Sequence, residues 1–303
     1  MSSHITLRQF RYFIAVAESG SVAAASRMLS IAQSAVTKSM QELEDEIGQR
    51  LFERSSKGML LTQQGHRFLA SARQVIGAVA DATRLRRSEG GLAGTLNVGV
   101  TSLVAGYYLS ELLSRYLRNC PAVQVQVTEE TPPFLEHLLI NGELDVAIMV
   151  SNVLGEPQAL VAETLTRSPN RVWLASNHPL TAADEVTLAD CANHDQVVLE
   201  ADRIDDLMRA AWARHQLKPR TLLRTSSLEA VRSLVGAGTG IAVLPDFLYR
   251  PWTLDAEHVD VRRLRDELPT VDVGLVWRRG LALKPAALEF IEMAREQSRS
   301  RRH

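Results

Sequence analysis

The sequence predicts an α/β protein made of a small helical head, a long connecting helix and a larger region of two α/β lobes. Three observations carry this expectation. Residues 1–62 show helical spacing of apolar side chains with tight punctuation. A helical seam, apolar until its last member Arg86, then runs on towards Gly90-Gly91-Leu92-Ala93-Gly94. Beyond that break, short apolar runs alternate with amphipathic ones, the pattern of parallel β-α-β units. The expected divisions are a head at 1–62, a connecting helix at 63–91 and a lobed region at 92–303. Within the last, one lobe takes 92–165 and 269–303, the other 166–268.

Composition agrees with a folded chain. Of 303 residues, 46% are apolar and 23% charged, with a net charge of -1, which excludes an intrinsically disordered protein. No apolar run approaches the roughly 20 residues that cross a bilayer. The start, Met1-Ser2-Ser3-His4-Ile5-Thr6, lacks the basic and apolar stretches of a secretory signal, so a soluble cytoplasmic protein is expected and no membrane partner. Cys120 and Cys191 lie far apart without metal-like spacing and are expected as buried thiols. The near-neutral total hides an asymmetry. The first 90 residues carry 12 basic and 8 acidic groups, a balance of +4 against -5 for the rest, which hints at an anionic partner for the head.

In the head, Leu7, Phe10, Phe13, Ile14 and Ala17 trace one helical face, ended by Gly20. Ser21 is a natural N-cap for a second short helix with Val22, Ala25 and Leu29 on one side. A turn at Ser30–Ala32 leads to a third helix, where Val36, Met40, Leu43 and Ile47 are spaced 4-3-4 and Gly48 stops it. Leu51–Arg54 and Met59–Thr62 read as short strands around a basic-tipped turn, Ser55-Ser56-Lys57-Gly58. A helix then spans about Gln63 to Glu89, roughly 40 Å long, with Phe68, Ala72, Val75, Val79, Ala82 and Arg86 on one seam. Such a stripe calls for a partner, either its own domain or a second copy, and a dimer is expected.

The lobed region reads as strand Leu96–Val100, helix Ala105–Asn119, strand Val123–Thr128, helix Phe134–Asn141 and strand Leu144–Val150. A second series follows: strands Arg171–Ala175 and Gln196–Leu199, helix Ile204–His215, strand Leu222–Thr225, helix Leu228–Ala237 and strand Ile241–Leu244. Val271–Trp277 then returns to the first sheet before a last helix, Pro285–Arg295, and a frayed basic tail, Ser298–His303. Gly236, Gly238 and Gly240 do not form a dinucleotide fingerprint, because the third glycine is missing and the segment runs from helix to strand.

Three helices followed by a basic hairpin have the layout of a winged helix-turn-helix, in which the second helix of the motif enters the major groove. The face opposite the apolar stripe carries Gln33, Ser34, Thr37, Lys38 and Gln41, amide and hydroxyl groups suited to base edges plus one cation for phosphate. Ser21 joins this candidate set, and Arg54 and Lys57 on the wing suit the flanking backbone. The acidic run at 42–46 falls at the far end of the helix, directed away from the groove.

The stretch LRQFRYFIAVAESGSVAAASRMLSIAQSAVTKSMQELEDEIGQRLFERSSKGMLLTQQGHRFL resembles the N-terminus of LysR-type transcriptional regulators. It has the aromatic-rich first helix, a GS…AA..L second helix, the family's SQPALS..I..LE..LG..LF.R core and an LT..G entry to the linker. Downstream, GTLNVGV, LLINGELDVAI and LEAVRSLVGAGTGIAVLP resemble the effector-binding region, so the likeness spans the whole chain. Ala32 and Ser34 stand where the family often has serine and proline, losing a cap and a preset helical φ. Lys38 replaces the usual arginine, keeping charge without the bidentate fork. The resemblance implies two lobes shaped like a periplasmic binding protein with a small-molecule effector between them. It also implies dimers paired through the linker helix, a tetramer through effector-domain contacts, and polymerase recruitment where the protein activates.

Ligands of open α/β sheets sit beyond the carboxyl ends of strands. The polar residues there are Thr101, Ser102, Thr131, Ser151, Arg203, Ser226 and Ser227, any of which can equally be an ordinary helix cap. Arg203 suits an anionic effector, unless Asp202, Asp205 or Asp206 neutralises it. No catalytic or metal motif occurs, and His137, His194 and His215 lack ligand spacing, so no enzyme, metal or cofactor is expected. An enzyme on the same lobes would rest on Glu130 with Asp202 or Asp206, and an architectural DNA-binding protein would ignore sequence and small molecules alike.

Overall fold

The structure, a computed structural model, describes residues 5–55, 58–84 and 92–302. The chain divides into two compact units, Met1–Gly91 with Glu296–His303 and Leu92–Arg295.

The first unit begins with α1 (Leu7–Ser19), α2 (Val22–Met28) and α3 (Gln33–Ile47). Thr6 and Gln9 form a capping box on α1, and the Ser21 hydroxyl accepts from the Ala24 N–H on α2. α3 starts at Ala32 with no side-chain cap and ends on Gly48, whose φ of 71° lies in the left-handed region that favours glycine. β1 (Phe52–Ser55) and β2 (Gly58–Leu61) pair antiparallel, Phe52 opposite Leu61 and Arg54 opposite Met59. The hairpin is tied to the helices twice. The Glu44 carboxylate accepts from the Leu51 and Phe52 N–H groups at 2.7 and 2.9 Å, and the Met59 N–H donates to the Gly20 carbonyl.

Phe13, Val16, Ala25, Val36 and Leu43 are fully buried in the core beneath. Phe13 packs against Phe52 and Phe68 at ring separations of 5.0 and 4.9 Å. Burying each such side chain is worth about 1.5–3 kcal/mol. Helix α4 (Gln63–Arg84) packs Phe68 and Ala72 onto this same core. It approaches so closely that a Cβ on Gly65 would sit 2.1 Å from the Leu51 carbonyl oxygen. The near half of the long seam is therefore satisfied by the head itself. Arg86 and the glycines Gly90 and Gly91 of the expected hinge lie outside the described residues.

The second unit opens with β3 (Gly94–Val100) and α5 (Ser102–Val104). A π-helical turn at Ala105–Leu109 leads into α6 (Ser110–Asn119). There follow β4 (Val123–Glu129), α7 (Pro132–Asn141), β5 (Val146–Val150) and β6 (Leu160–Ser168). The chain then crosses to β7 (Asn170–Ala175), β8 (Glu185–Val186), α8 (Leu188–Ala192), β9 (Gln196–Leu199), α9 (Ile204–Arg214) and β10 (Thr221–Thr225). α10 (Leu228–Gly236), β11 (Ala242–Pro245) and β12 (Val259–Leu264) complete that lobe. β13 (Val271–Arg278) and α11 (Pro285–Arg302) follow.

The first sheet has the order β4-β3-β5-β13-β6, and the second lobe holds β11-β7-β12-β8 and the pair β10-β9. The expectation of parallel sheets holds for β3, β4 and β5 and for β9 with β10. It holds for β8 with β12 as well, and it fails where β13 runs antiparallel to β5 and β6, and β7 antiparallel to β11 and β12. β6 and β12 escaped the sequence reading because they interleave charged residues, as in LVAETLTRS and VDVRRL. Because Ser168 pairs with Val271, the first lobe extends to Ser168 rather than stopping at 165. The tail is not frayed: α11 continues to Arg302, with Ser298 buried. Cys120 and Cys191 are buried free thiols, one in each lobe. Among the described residues no helix is long and apolar enough to cross a membrane.

Candidate functional site

On α3 the two faces separate as the spacing requires. Val36, Met40 and Leu43 are buried, while Gln33, Ser34, Lys38 and Gln41 are exposed. Thr37 is half-buried and its hydroxyl donates to the Gln33 carbonyl at 3.0 Å, which leaves the oxygen available as an acceptor. Lys38 lies 3.8 Å from Glu42 in an exposed i,i+4 pair worth a few tenths of a kcal/mol, readily exchanged for a stronger anion. Ser21 is half-buried and spends its hydroxyl on capping α2. Arg54 is a β1 residue; its side chain and the whole of Lys57 lie outside the described residues. Glu44, within the acidic run at 42–46, is half-buried. Its carboxylate ties α3 to the start of the hairpin, a role that no local pattern announces.

The lobes of the second unit meet along a seam with apolar and polar parts. Leu103 and Val150 of the first lobe pack in one cluster with Val197, Leu199 and Ile204 of the second. Thr101, wholly buried at the end of β3, donates its hydroxyl to the Asp202 carboxylate at 2.6 Å. Asp202 is 7% exposed. Burial pushes its pKa up to about 6, the charge of Glu129 adds to the rise, and the Thr101 hydrogen bond opposes it. Both Asp202 and Arg203 hold left-handed backbone, with φ of 52° and 60°. Arg232, buried on α10, donates to the Tyr107 hydroxyl across the seam at 2.9 Å, pairs with Glu229 and lies 5.8 Å over the Trp173 ring.

The expected cleft residues fare unevenly. Thr101 is at the centre of the seam. Ser102, Thr131 and Ser226 are exposed at the first turns of α5, α7 and α10, and Thr131 makes no side-chain cap. Ser227 caps α10 by accepting from the Ala230 N–H. Ser151 is turned into the sheet: its hydroxyl donates to the Asp272 carbonyl, and a Cβ on Gly274 would meet its oxygen at 2.5 Å. It is a packing residue of the crossover, not a group facing the cleft. Arg203 faces Asp206 at 3.4 Å, so the neutralisation that the sequence left open occurs. Asp202, Tyr107 and Arg232 were not singled out as effector residues, because their partners lie 101 and 125 positions away. Among the described residues no group of three acidic, histidine or cysteine side chains is arranged to hold a metal ion.

A polar-faced helix beside a wing, followed by two lobes with a polar seam, defines a DNA-binding protein that carries its own ligand-sensing domain. The chain belongs to the LysR family. Residues 7–66 match the bacterial regulatory helix-turn-helix protein model of the lysR family, and residues 89–299 match the LysR substrate binding domain. It is a LysR-type DNA-binding transcriptional regulator with an effector-binding domain. Over 296 residues it is 32% identical to the uncharacterized HTH-type transcriptional regulator YnfL of Escherichia coli K12, covering 95% of this chain and 97% of that protein. A hydrogen peroxide-inducible genes activator of Pectobacterium carotovorum is 26% identical, with 96% of each chain covered. Among solved structures, HinK, a LysR family transcriptional regulator from Pseudomonas aeruginosa, superposes with a TM-score of 0.64 at 26% identity. That match covers 96% of this chain and 98% of HinK.

Proposed function

We propose that α3 reads base edges in the major groove of double-stranded DNA, with Gln33, Ser34, Thr37 and Gln41 as readers and Lys38, Arg54 and Lys57 on flanking phosphates. Ser21 acts through the seating of α2. The observation that carries this reading is the exposed amide and hydroxyl face of α3 backed by buried Val36, Met40 and Leu43. Gln33 pairs bidentately with adenine in this picture. Two chains pair along the later part of α4, where Val75 and Val79 are only half-buried, and effector-domain contacts join dimers into a tetramer. The regulator works in the cytoplasm, catalyses no reaction, and contacts RNA polymerase where it activates.

A small-molecule effector binds between the lobes at the seam held by Thr101. Binding shifts the protein between two arrangements only in so far as the effector prefers one of them. The peroxide response named for one relative is not transferred to this chain. Both thiols are buried, and burial pushes the Cys191 pKa up to about 12, where no reactive thiolate forms at neutral pH. The test is a titration of operator and scrambled DNA with wild type and Gln33→Ala. Loss of about 1–3 kcal/mol of discrimination is expected. Unchanged discrimination removes Gln33 from the base contacts.

A further inference from the structure

We propose that the effector of this regulator carries a cationic hydrogen-bond donor, an ammonium or guanidinium group, and that the Asp202 carboxylate is its anchor. The proposal rests on the reading of the interlobe seam as the effector site, and it names the ligand chemistry that this chain's own residues demand there.

Asp202 is more than nine-tenths buried at the junction of the lobes, yet among the described residues no lysine or arginine pairs with it. Among the described residues its one hydrogen bond comes from a neutral hydroxyl, that of Thr101. Arg203, the adjacent cation, is engaged with Asp206, and Arg232, the buried cation on α10 of the same lobe, is engaged with Glu229 and with Tyr107 of the other. Glu129, at the end of β4, adds negative potential to the same place. A buried carboxylate with a single neutral donor is poorly compensated, and the natural complement is a charge-assisted donor brought in from solvent.

An anionic effector would meet buried Asp202 as a like charge, with the exposed Glu129 adding to the repulsion, a penalty that acts as selection against carboxylates. The backbone agrees with a placed anchor. Two consecutive non-glycine residues, Asp202 and Arg203, are held at positive φ immediately before α9, and this conformation sends their two side chains to different partners, Thr101 and Asp206. The raised pKa of Asp202 records the same lack of compensation, and a docked cation would reverse it.

The experiment uses the full-length protein and matched probes: propylammonium, benzylammonium and agmatine against propionate and benzoate, by calorimetry and thermal shift at pH 8. Wild type is expected to bind members of the cationic set and not their anionic counterparts. Asp202→Asn, which keeps an acceptor for Thr101, should lose about 30-fold or more of that affinity. Asp202→Glu should recover part of it. Thr101→Val serves as a second variant at the seam and should alter affinity without reversing the charge preference.

Binding of the carboxylates, abolished by Thr101→Val and improved by Asp202→Asn, overturns the proposed effector class while leaving the seam as the effector site. Cation binding that neither Asp202→Asn nor Thr101→Val changes overturns both. Absence of binding by every probe also overturns the proposal.

Discussion

Replacing Asp202 by asparagine should stabilise the second unit, and only at neutral to alkaline pH. The folded carboxyl titrates at about 6 against an ordinary 3.8, chiefly because it is buried. Between about pH 4 and 6 the folded state therefore holds more protons than the unfolded chain, and stability falls as pH rises through that window. Above it the deficit is complete and amounts to about 3 kcal/mol. Asparagine carries no charge to bury, and its carbonyl still accepts the Thr101 hydroxyl. The variant should thus match wild type near pH 4 and exceed it by up to about 3 kcal/mol at pH 8. Urea unfolding followed by tryptophan fluorescence can report this in the intact chain, because Trp173, Trp212, Trp252 and Trp277 all lie in the second unit. A gain of equal size at both pH values, or a loss at pH 8, would refute the assignment of the penalty to an ionised buried carboxylate.

Other perturbations probe the remaining contacts. Glu44→Ala leaves the Leu51 and Phe52 N–H groups without their acceptor, so the first unit should lose about 1–3 kcal/mol and DNA binding should weaken; far-UV circular dichroism and a DNA titration measure both. Lys38→Ala should lower affinity for every DNA sequence alike and reduce the salt slope by about one, whereas an unaltered slope removes it from the phosphates. Tyr107→Phe deletes an acceptor of buried Arg232 and should loosen the seam, read as faster amide exchange in α10. Cys120 and Cys191 should resist a disulfide reagent in the folded protein and react only on unfolding; prompt native reaction would contradict their burial.

Legibility in the sequence followed the range of the interaction. The head was readable because its signals are local: 4-3-4 spacing in α3, glycine stops at Gly20 and Gly48, and the serine cap of α2. The exposed set Gln33, Ser34, Lys38 and Gln41 followed from the same periodicity, since an apolar stripe fixes which residues lie opposite it. The tie that Glu44 makes left no mark in the sequence, because charge runs usually mark solvated faces and nothing local says that its carboxylate will find two backbone donors seven and eight residues on.

In the second unit a strand-end hydroxyl looks the same whether it caps a helix, as Ser227 does, turns into the sheet, as Ser151 does, or holds a carboxylate from the other lobe, as Thr101 does. Strand direction was equally hidden: β6 and β13 carry no mark of being antiparallel, and their pairing spans more than a hundred residues.

The amino-acid order alone determined the helical head with its reading face, the long helix after it and the alternation of strands and helices in the lobes. Each of these depends on periodicities of two or about four residues. Only the tertiary structure decided which polar groups meet at the seam, that Arg203 is neutralised, and that Asp202 is sealed in without a cation. Such facts depend on chain segments distant in sequence being pressed together until water is excluded. Desolvation, which raises the Asp202 pKa, has no counterpart in a string of residues.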